Sequence, residues 1–483
     1  MLFNSMINSI PIIHRDNIEN TRNNIIQKKI SVSKLVKEHI DLAKQINPKI
    51  NAFITILEEE ALSQAALLDK KINDGQEEVL NKKLLGIPFT VKDLYLVKGT
   101  KTTFASKYMD NFVASYTATV VQKCLDEGAI LVGKCNCDPW GFGGSGENSG
   151  YGPSRHPMDL DRTPGGSSSG SAASLLAGVG YFSLGTDTGG SVRLPASFCG
   201  LYGLKPTYGR NSRFGIGAMG SSFDTPGFFA RYFEDIKLLE SIMEGKDIND
   251  SSTYYLDLIP KPKKEVKTIG VPFDLLLDGV DLEVKDKILK YIDKISIYFK
   301  IKEIKIDSAT YGLAVYYILV PSEISSNRAK YDGVRYGPFV SEKYEDNLII
   351  GRSNYFEKEV KRRIMIGTFS LSSGYADQYY KKASLVRQKI KQEFKQIFSE
   401  VDLIIMPVSP VTAFKLGEKS SDPVQMYLVD IFTVLANLAG IPSLSIPVGS
   451  DSCGMPIGVQ IMADHFMEQN IYQYLEKCDH VKV

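Results

Sequence analysis

PGGSSSGS at residues 164–171 and TDTGGSVR at 186–193 decide how this chain is read. Serine, glycine and proline at such density mark loops. Each stretch runs directly into an apolar segment, AASLLAGV (172–179) and VRLPASFCGLYGL (192–204). Loops that feed buried elements are where chemistry concentrates. A serine there is a candidate nucleophile, and a serine nucleophile needs a base.

Around these loops the pattern alternates between strand and helix. LLGIPFTVKDL (84–94) reads as a strand with a turn, TATVVQKCLDEGA (117–129) as a helix and AILVGKC (129–135) as a short apolar strand. SAASLLAGVG (171–180) reads as a small-residue helix and YFSLGTD (181–187) as a strand. Such alternation predicts an α/β fold. Apolar strands predict burial on both faces, in a parallel or mixed sheet with helices outside. Residues 1–75 form a helical N-terminal segment, in which Ser31 is placed to cap SVSKLVKEHIDLAKQI. The stretch 250–400 is charged, tyrosine-rich and helical. DLIIMPVSP (402–410), LSIPV (444–448) and GVQIM (458–462) return to core strands, with YLVDIFTVLANLAG (427–440) expected as one helix between the first two. The expectation is a single domain spanning 1–483, with 250–400 as an elaboration.

The 483 residues carry 57 basic and 56 acidic groups, a net charge of +1. That balance gives no nucleic-acid footprint. The six cysteines are scattered, and the Cys135-x-Cys137 pair lacks zinc spacing, so buried free thiols and no metal are expected. MLFNSMINSIPIIHR has no basic start before its apolar residues, and no run approaches the roughly 20 apolar residues of a membrane span. A reduced, cytoplasmic setting follows as the expectation.

Five histidines are available as bases. His14 precedes the first helix, His39 is read on a polar helix face and His480 is in the tail, whereas His156 and His465 fall in loops and stay open. Lys92, directly after an apolar strand, is the other candidate. Desolvation lowers a lysine's pKa, and a neutral amine accepts a proton. GFGGSG (141–146) matches a dinucleotide motif formally, but no helix signal follows it. GGSSSGS lacks the Gly-Lys-Ser/Thr end of a phosphate loop. In TDTGGS the glycines free consecutive N–H groups to converge, as an oxyanion hole requires; a tight turn before a helix is the plain alternative.

Together, GIPFTVKD (86–93), GGSSSGS (165–171) and DTGGSVRLP (187–195) resemble the three motifs of the amidase signature family, in order and at its spacing. The resemblance implies the amidase signature fold: a central mixed, mostly parallel sheet covered by helices on both faces. It implies Ser191 as nucleophile, Lys92 as base, and Ser167, preceded by a cis peptide, as the proton relay between them. Thr188, Gly189, Gly190 and Ser191 would supply the oxyanion-hole N–H groups. Ser168, Ser169 and Ser171 are left to packing and hydrogen bonding; Ser169 stands where the family often has glycine.

Within the family the chain is similar to the glutaminase-type subunits of tRNA-dependent amidotransferases. ENSGYGPSRHP (147–157), KRRIMIGTFSLSSGYADQYYKKASLVR (361–387) and MYLVDIFTVLANLAGIPSLSIPVG (426–449) carry much of that likeness. It implies a glutaminase that releases ammonia for converting Glu-tRNA(Gln) to Gln-tRNA(Gln). It also implies a heterotrimer with subunits B and C. ATP and Mg would be used on a partner subunit, and the tRNA held mainly there. Arg363, with Arg362 as the adjacent alternative, and Asp430 would hold glutamine, and Tyr317 would line the pocket. CDPWGFGGSGENS (137–149) and DTPG (224–227) depart from those subunits. A stand-alone amidase on small amides and a catalytically silent scaffold are the rival readings.

Overall fold

The computed structural model describes residues 9–259, 265–276, 279–419 and 422–481. The first eight residues of the N-terminal stretch read above lie outside them.

Eleven strands join in one sheet. They are β1 (Phe53–Ile56), β2 (Pro88–Lys92), β3 (Ile130–Cys135), β4 (Phe182–Asp187), β5 (Tyr202–Lys205) and β6 (Thr225–Ala230), then β7 (Thr268–Val271), β8 (Lys300–Glu303), β9 (Leu403–Pro407), β10 (Ser443–Ser450) and β11 (Pro456–Met462). Their order is β1-β3-β2-β4-β6-β5-β10-β11-β9-β7-β8. In β2 to β6 and in β9 every residue is buried, so both faces are covered. The sheet ends on β8, KIKE, whose alternating charges suit an edge.

The sheet is mixed, as expected, but it is not mostly parallel. Only β2–β3, β2–β4, β7–β8 and β7–β9 run parallel; the other neighbouring pairs are antiparallel. The apolar runs reported burial on two faces, which an antiparallel strand inside a covered sheet also has. β6 escaped the reading because TPGFFA opens on proline and glycine, residues that demote a strand signal.

The helices Ile18–Ile26, Val32–Ile50 and Glu58–Asn73 fill the N-terminal segment, with β1 between the last two. Ser31 caps as expected, accepting from Lys34 N–H at 3.2 Å. His39 is not on a polar face: it is fully buried and its Nδ1 accepts Gly180 N–H at 2.9 Å. The single helix expected at 427–440 is two, Pro423–Leu428 and Val434–Ala439, separated by a turn through Asp430. β-Branched Ile431 and Thr433 weaken helix continuity there, and the Thr433 hydroxyl finds a partner outside the turn, Gly189 O at 2.6 Å.

The helices Ala309–Arg328 and Lys358–Leu371 cross where Gly367 meets the Pro321 carbonyl; any Cβ at Gly367 would collide with it. That approach sets Arg363, one turn from Gly367, over the ring of Tyr317, one turn from Pro321, at 5.2 Å. No described helix is long and apolar enough to cross a membrane.

Candidate active site

The site sits at the carboxyl ends of the parallel strands β2, β3 and β4, where loops leave a sheet and ligands bind in α/β folds. Lys92 ends β2 and is fully buried. Its Nζ donates to Ser167 Oγ at 2.7 Å and to Thr186 Oγ1 at 2.9 Å. Burial pushes its pKa down to about 8, against the opposing pull of Cys137, Asp138, Asp187 and Asp224. Both of its bonding partners are hydroxyls, so the amine is desolvated without a carboxylate in contact.

Ser167 follows a cis Gly166–Ser167 peptide bond. Its carbonyl accepts Asp138 N–H at 3.1 Å. The neighbouring serines hold the loop to β4 and to the 147–157 segment. Ser168 Oγ bridges Thr186 N–H and C=O at 3.3 and 3.4 Å, Ser171 Oγ donates to Leu184 O, and Ser169 Oγ meets Ser154 Oγ at 3.1 Å.

Ser191 lies in the loop after β4, 8% exposed, and its carbonyl accepts Ser168 N–H at 3.3 Å. Lys92 and Ser167 are therefore brought into direct contact. The Ser191 hydroxyl makes no hydrogen bond among the described residues, so the Ser167–Ser191 link is open in this structure.

Asp187 organises the loop. Its carboxylate accepts Gly190 N–H at 2.9 Å and Val192 N–H at 3.2 Å, and pairs with the Arg193 guanidinium through Nε and Nη2, both at 3.0 Å. Burial pushes this carboxyl up, but Arg193, Lys205 and Asn437 together outweigh burial and hold it well below the usual carboxylate range. Because Gly190 N–H is spent on Asp187, it is not free for an oxyanion. The N–H groups of Thr188, Gly189 and Ser191 have no partner among the described residues. The loop is tightly packed: a Cβ at Gly189 would strike the Tyr316 hydroxyl, and one at Gly190, where φ is +130°, the Thr433 hydroxyl.

A cavity is lined by Gly143, Gly144, Tyr317, Arg363, Tyr427 and Asp430, and its wall meets the serine loop where Gly144 O accepts Gly166 N–H at 2.8 Å, one residue before Ser167. Arg363 is buried and donates through Nε to Glu359 Oε1 at 2.8 Å. Arg362 also pairs with Glu359, through Oε2, but is more exposed. Tyr317 and Tyr427 stack with centroids 4.0 Å apart, and Arg363 lies over both rings. Tyr317 OH donates to Asp430 Oδ2 at 3.5 Å. Burial pushes Asp430 up to about 7, with Arg363 pulling the other way. The cavity thus holds a cation and a carboxyl around one tyrosine pair.

His156 is not available as a base. His156 is fully buried, its Nδ1 accepts Met158 N–H at 3.1 Å, and its Nε2 is 2.9 Å from Phe198 O, so no lone pair is left for a serine. Burial lowers its pKa to about 4. Thr186, Glu359, Tyr427 and Thr433 escaped the sequence reading. Thr433 and Tyr427 share the YLVDIF neighbourhood with Asp430, but nothing in their local sequence marks a role.

The Amidase profile matches residues 34–472. The chain belongs to the amidase family. Among curated members, it is 44% identical over 468 residues to the A-type component of the glutamyl-tRNA(Gln) amidotransferase of Alkaliphilus metalliredigens, covering 94% of each chain. It is 45% identical over 466 residues to the second A-type component of that enzyme in Clostridium acetobutylicum, covering 94% of this chain and 97% of the relative. The crystal structure of the A-type component from Thermotoga maritima superposes with a TM-score of 0.77 at 35% identity, over 97% of this chain and 96% of that one. A crystal structure described as an amidase gives 0.81 at 27% identity, over 96% and 99%.

Proposed function

We propose that this amidase-family chain is the glutamine-hydrolysing subunit of a tRNA-dependent amidotransferase. The observation that carries the reading is the Arg363–Asp430 cavity set beside the buried Lys92–Ser167 pair. A free amino acid needs a cation for its carboxylate and an anion for its ammonium. Arg363 is buried with Nη groups not taken by Glu359, and Asp430 ionises once an ammonium enters.

In the mechanism, neutral Lys92 accepts the Ser167 hydroxyl proton while Ser167 takes the proton of Ser191. Ser191 Oγ attacks the side-chain amide carbon, and the N–H groups of Thr188, Gly189 and Ser191 face the developing oxyanion. The Ser167–Ser191 contact closes with substrate in place; such bonds are often loose in free enzymes. The proton returns to the leaving nitrogen and ammonia departs. Water then hydrolyses the acyl-serine to glutamate and restores the hydroxyl.

The names of the relatives support assembly with other subunits. A partner of the B and C type would use ATP and Mg, bind Glu-tRNA(Gln) and consume the ammonia. The near-zero net charge supports leaving most tRNA contact to that partner. The continuous eleven-stranded sheet supports reading the chain as one amidase domain. Free thiols at all six cysteines support a reduced, cytoplasmic setting.

Glutamine hydrolysis by the wild-type and Ser191→Ala proteins tests the chemistry, together with a mass shift on Ser191 after an electrophilic glutamine analogue. Unchanged hydrolysis in the alanine variant removes the mechanism. A wild-type protein that cleaves simple amides as well as glutamine, and needs no partner, points instead to a stand-alone amidase.

A further inference from the structure

We infer that Thr433 is a positioning residue for the catalytic loop, tying the turn that carries Asp430 to the peptide between Gly189 and Gly190. The inference rests on the proposed roles of Ser191 and Asp430.

Thr433 is fully buried. The Asp430 carbonyl already accepts two backbone donors, Thr433 N–H at 3.0 Å and Val434 N–H at 3.2 Å. The Thr433 hydroxyl lies 3.0 Å from that carbonyl but 2.6 Å from Gly189 O. A hydroxyl has one proton to give. The doubly satisfied Asp430 carbonyl has less need of it, so the proton goes to Gly189. The same peptide is held on its other side, where Gly190 N–H donates to Asp187 Oδ1 at 2.9 Å. Both polar atoms of one peptide plane are thus fixed, one from the end of β4 and the other from a threonine 244 residues away.

That plane sits between the two peptides whose N–H groups, on Gly189 and Ser191, face the proposed oxyanion. Rotating it swings both, because all three planes pivot on the α-carbons of Gly189 and Gly190. Glycines resist such rotation poorly, having no Cβ to limit φ and ψ. The restraint must come from outside the loop, and the Thr433 hydroxyl and the Asp187 carboxylate supply it. Oxyanion donors act only when aimed at the developing charge, so loss of one restraint is read in the chemical step.

The test is glutamine hydrolysis by the full chain, in the complex with which it purifies. Thr433→Val keeps the branched shape and removes the hydroxyl. It is expected to lower kcat roughly tenfold or more and to leave KM within about twofold, since the loop and not the pocket is disturbed. Thr433→Ser is expected to retain most of kcat, and Thr433→Ala to lose it as Val does. The serine and alanine variants differ by one oxygen atom, so their comparison decides the matter even where the valine variant folds poorly. Equal kcat in those two overturns the inference. Failure of the underlying pocket reading looks different: Asp430→Asn would leave KM for glutamine unchanged.

Discussion

A buried amine with two hydroxyl partners can serve as a base only when it is neutral, and Lys92 is poised for this by burial. With its pKa near 8, kcat/KM for glutamine should rise with pH through about 8 and then level. A flat profile across that range in a stopped assay would count against Lys92. The same shift has a stability sign. Below about 8 both folded and unfolded states hold the proton, and the folded state bears the cost of a buried charge. Between about 8 and the ordinary lysine value the unfolded chain binds more protons, so this group makes stability rise with pH. Asp430, raised to about 7 by burial, gives a second profile. In the proposed pocket its ionised form would pair with the substrate ammonium, so KM for glutamine should fall as pH rises through about 7. His156, with both ring nitrogens engaged, should be replaceable: His156→Gln is expected to keep activity within about twofold while losing about 1–3 kcal/mol in denaturant unfolding. Ser167 and Ser191 were legible because each lies in a short glycine- and serine-rich motif, and Lys92 because it directly follows an apolar strand. Thr186 was not, since its part depends on β4 lying beside β2.

Among the elements, the loop between β4 and the Arg193–Phe198 helix depends most on glycine. Its backbone is pressed between the Tyr316 and Thr433 hydroxyls. Gly189→Ala should therefore lower kcat about a hundredfold, comparable to losing an oxyanion donor, with little change in far-UV circular dichroism. The converging N–H groups could be expected from TDTGGS, but the diversion of Gly190 N–H to Asp187 could not. A carboxylate at the mouth of a helix attracts any free N–H nearby, and only the loop's folded path decides which ones reach it. The break near Asp430 was hidden in the same way, since an apolar run looks helical whether or not its backbone turns.

Across the whole molecule, Arg193 joins segments distant in the chain. Its guanidinium pairs with Asp187 on β4, donates to Asn437 Oδ1 at 2.7 Å in the Val434–Ala439 helix, and to Gln460 Oε1 at 2.7 Å on β11. All four side chains are buried. Arg193→Met would strand a buried carboxylate, and urea unfolding should show a loss of about 3–5 kcal/mol. The residue sequence, read without neighbours, determined the α/β class, the family and the order of Lys92, Ser167 and Ser191, because local motifs and apolar runs carry that information. The family resemblance overstated the parallel share of the sheet, and the apolar runs could not correct it, because burial on two faces is common to both strand directions. The tertiary structure alone decided strand order, the crossing at Gly367 that brings Arg363 over Tyr317, and the Thr433 bond to Gly189 in the loop after β4. These depend on where distant segments meet, and no local pattern encodes a contact whose two halves lie hundreds of residues apart.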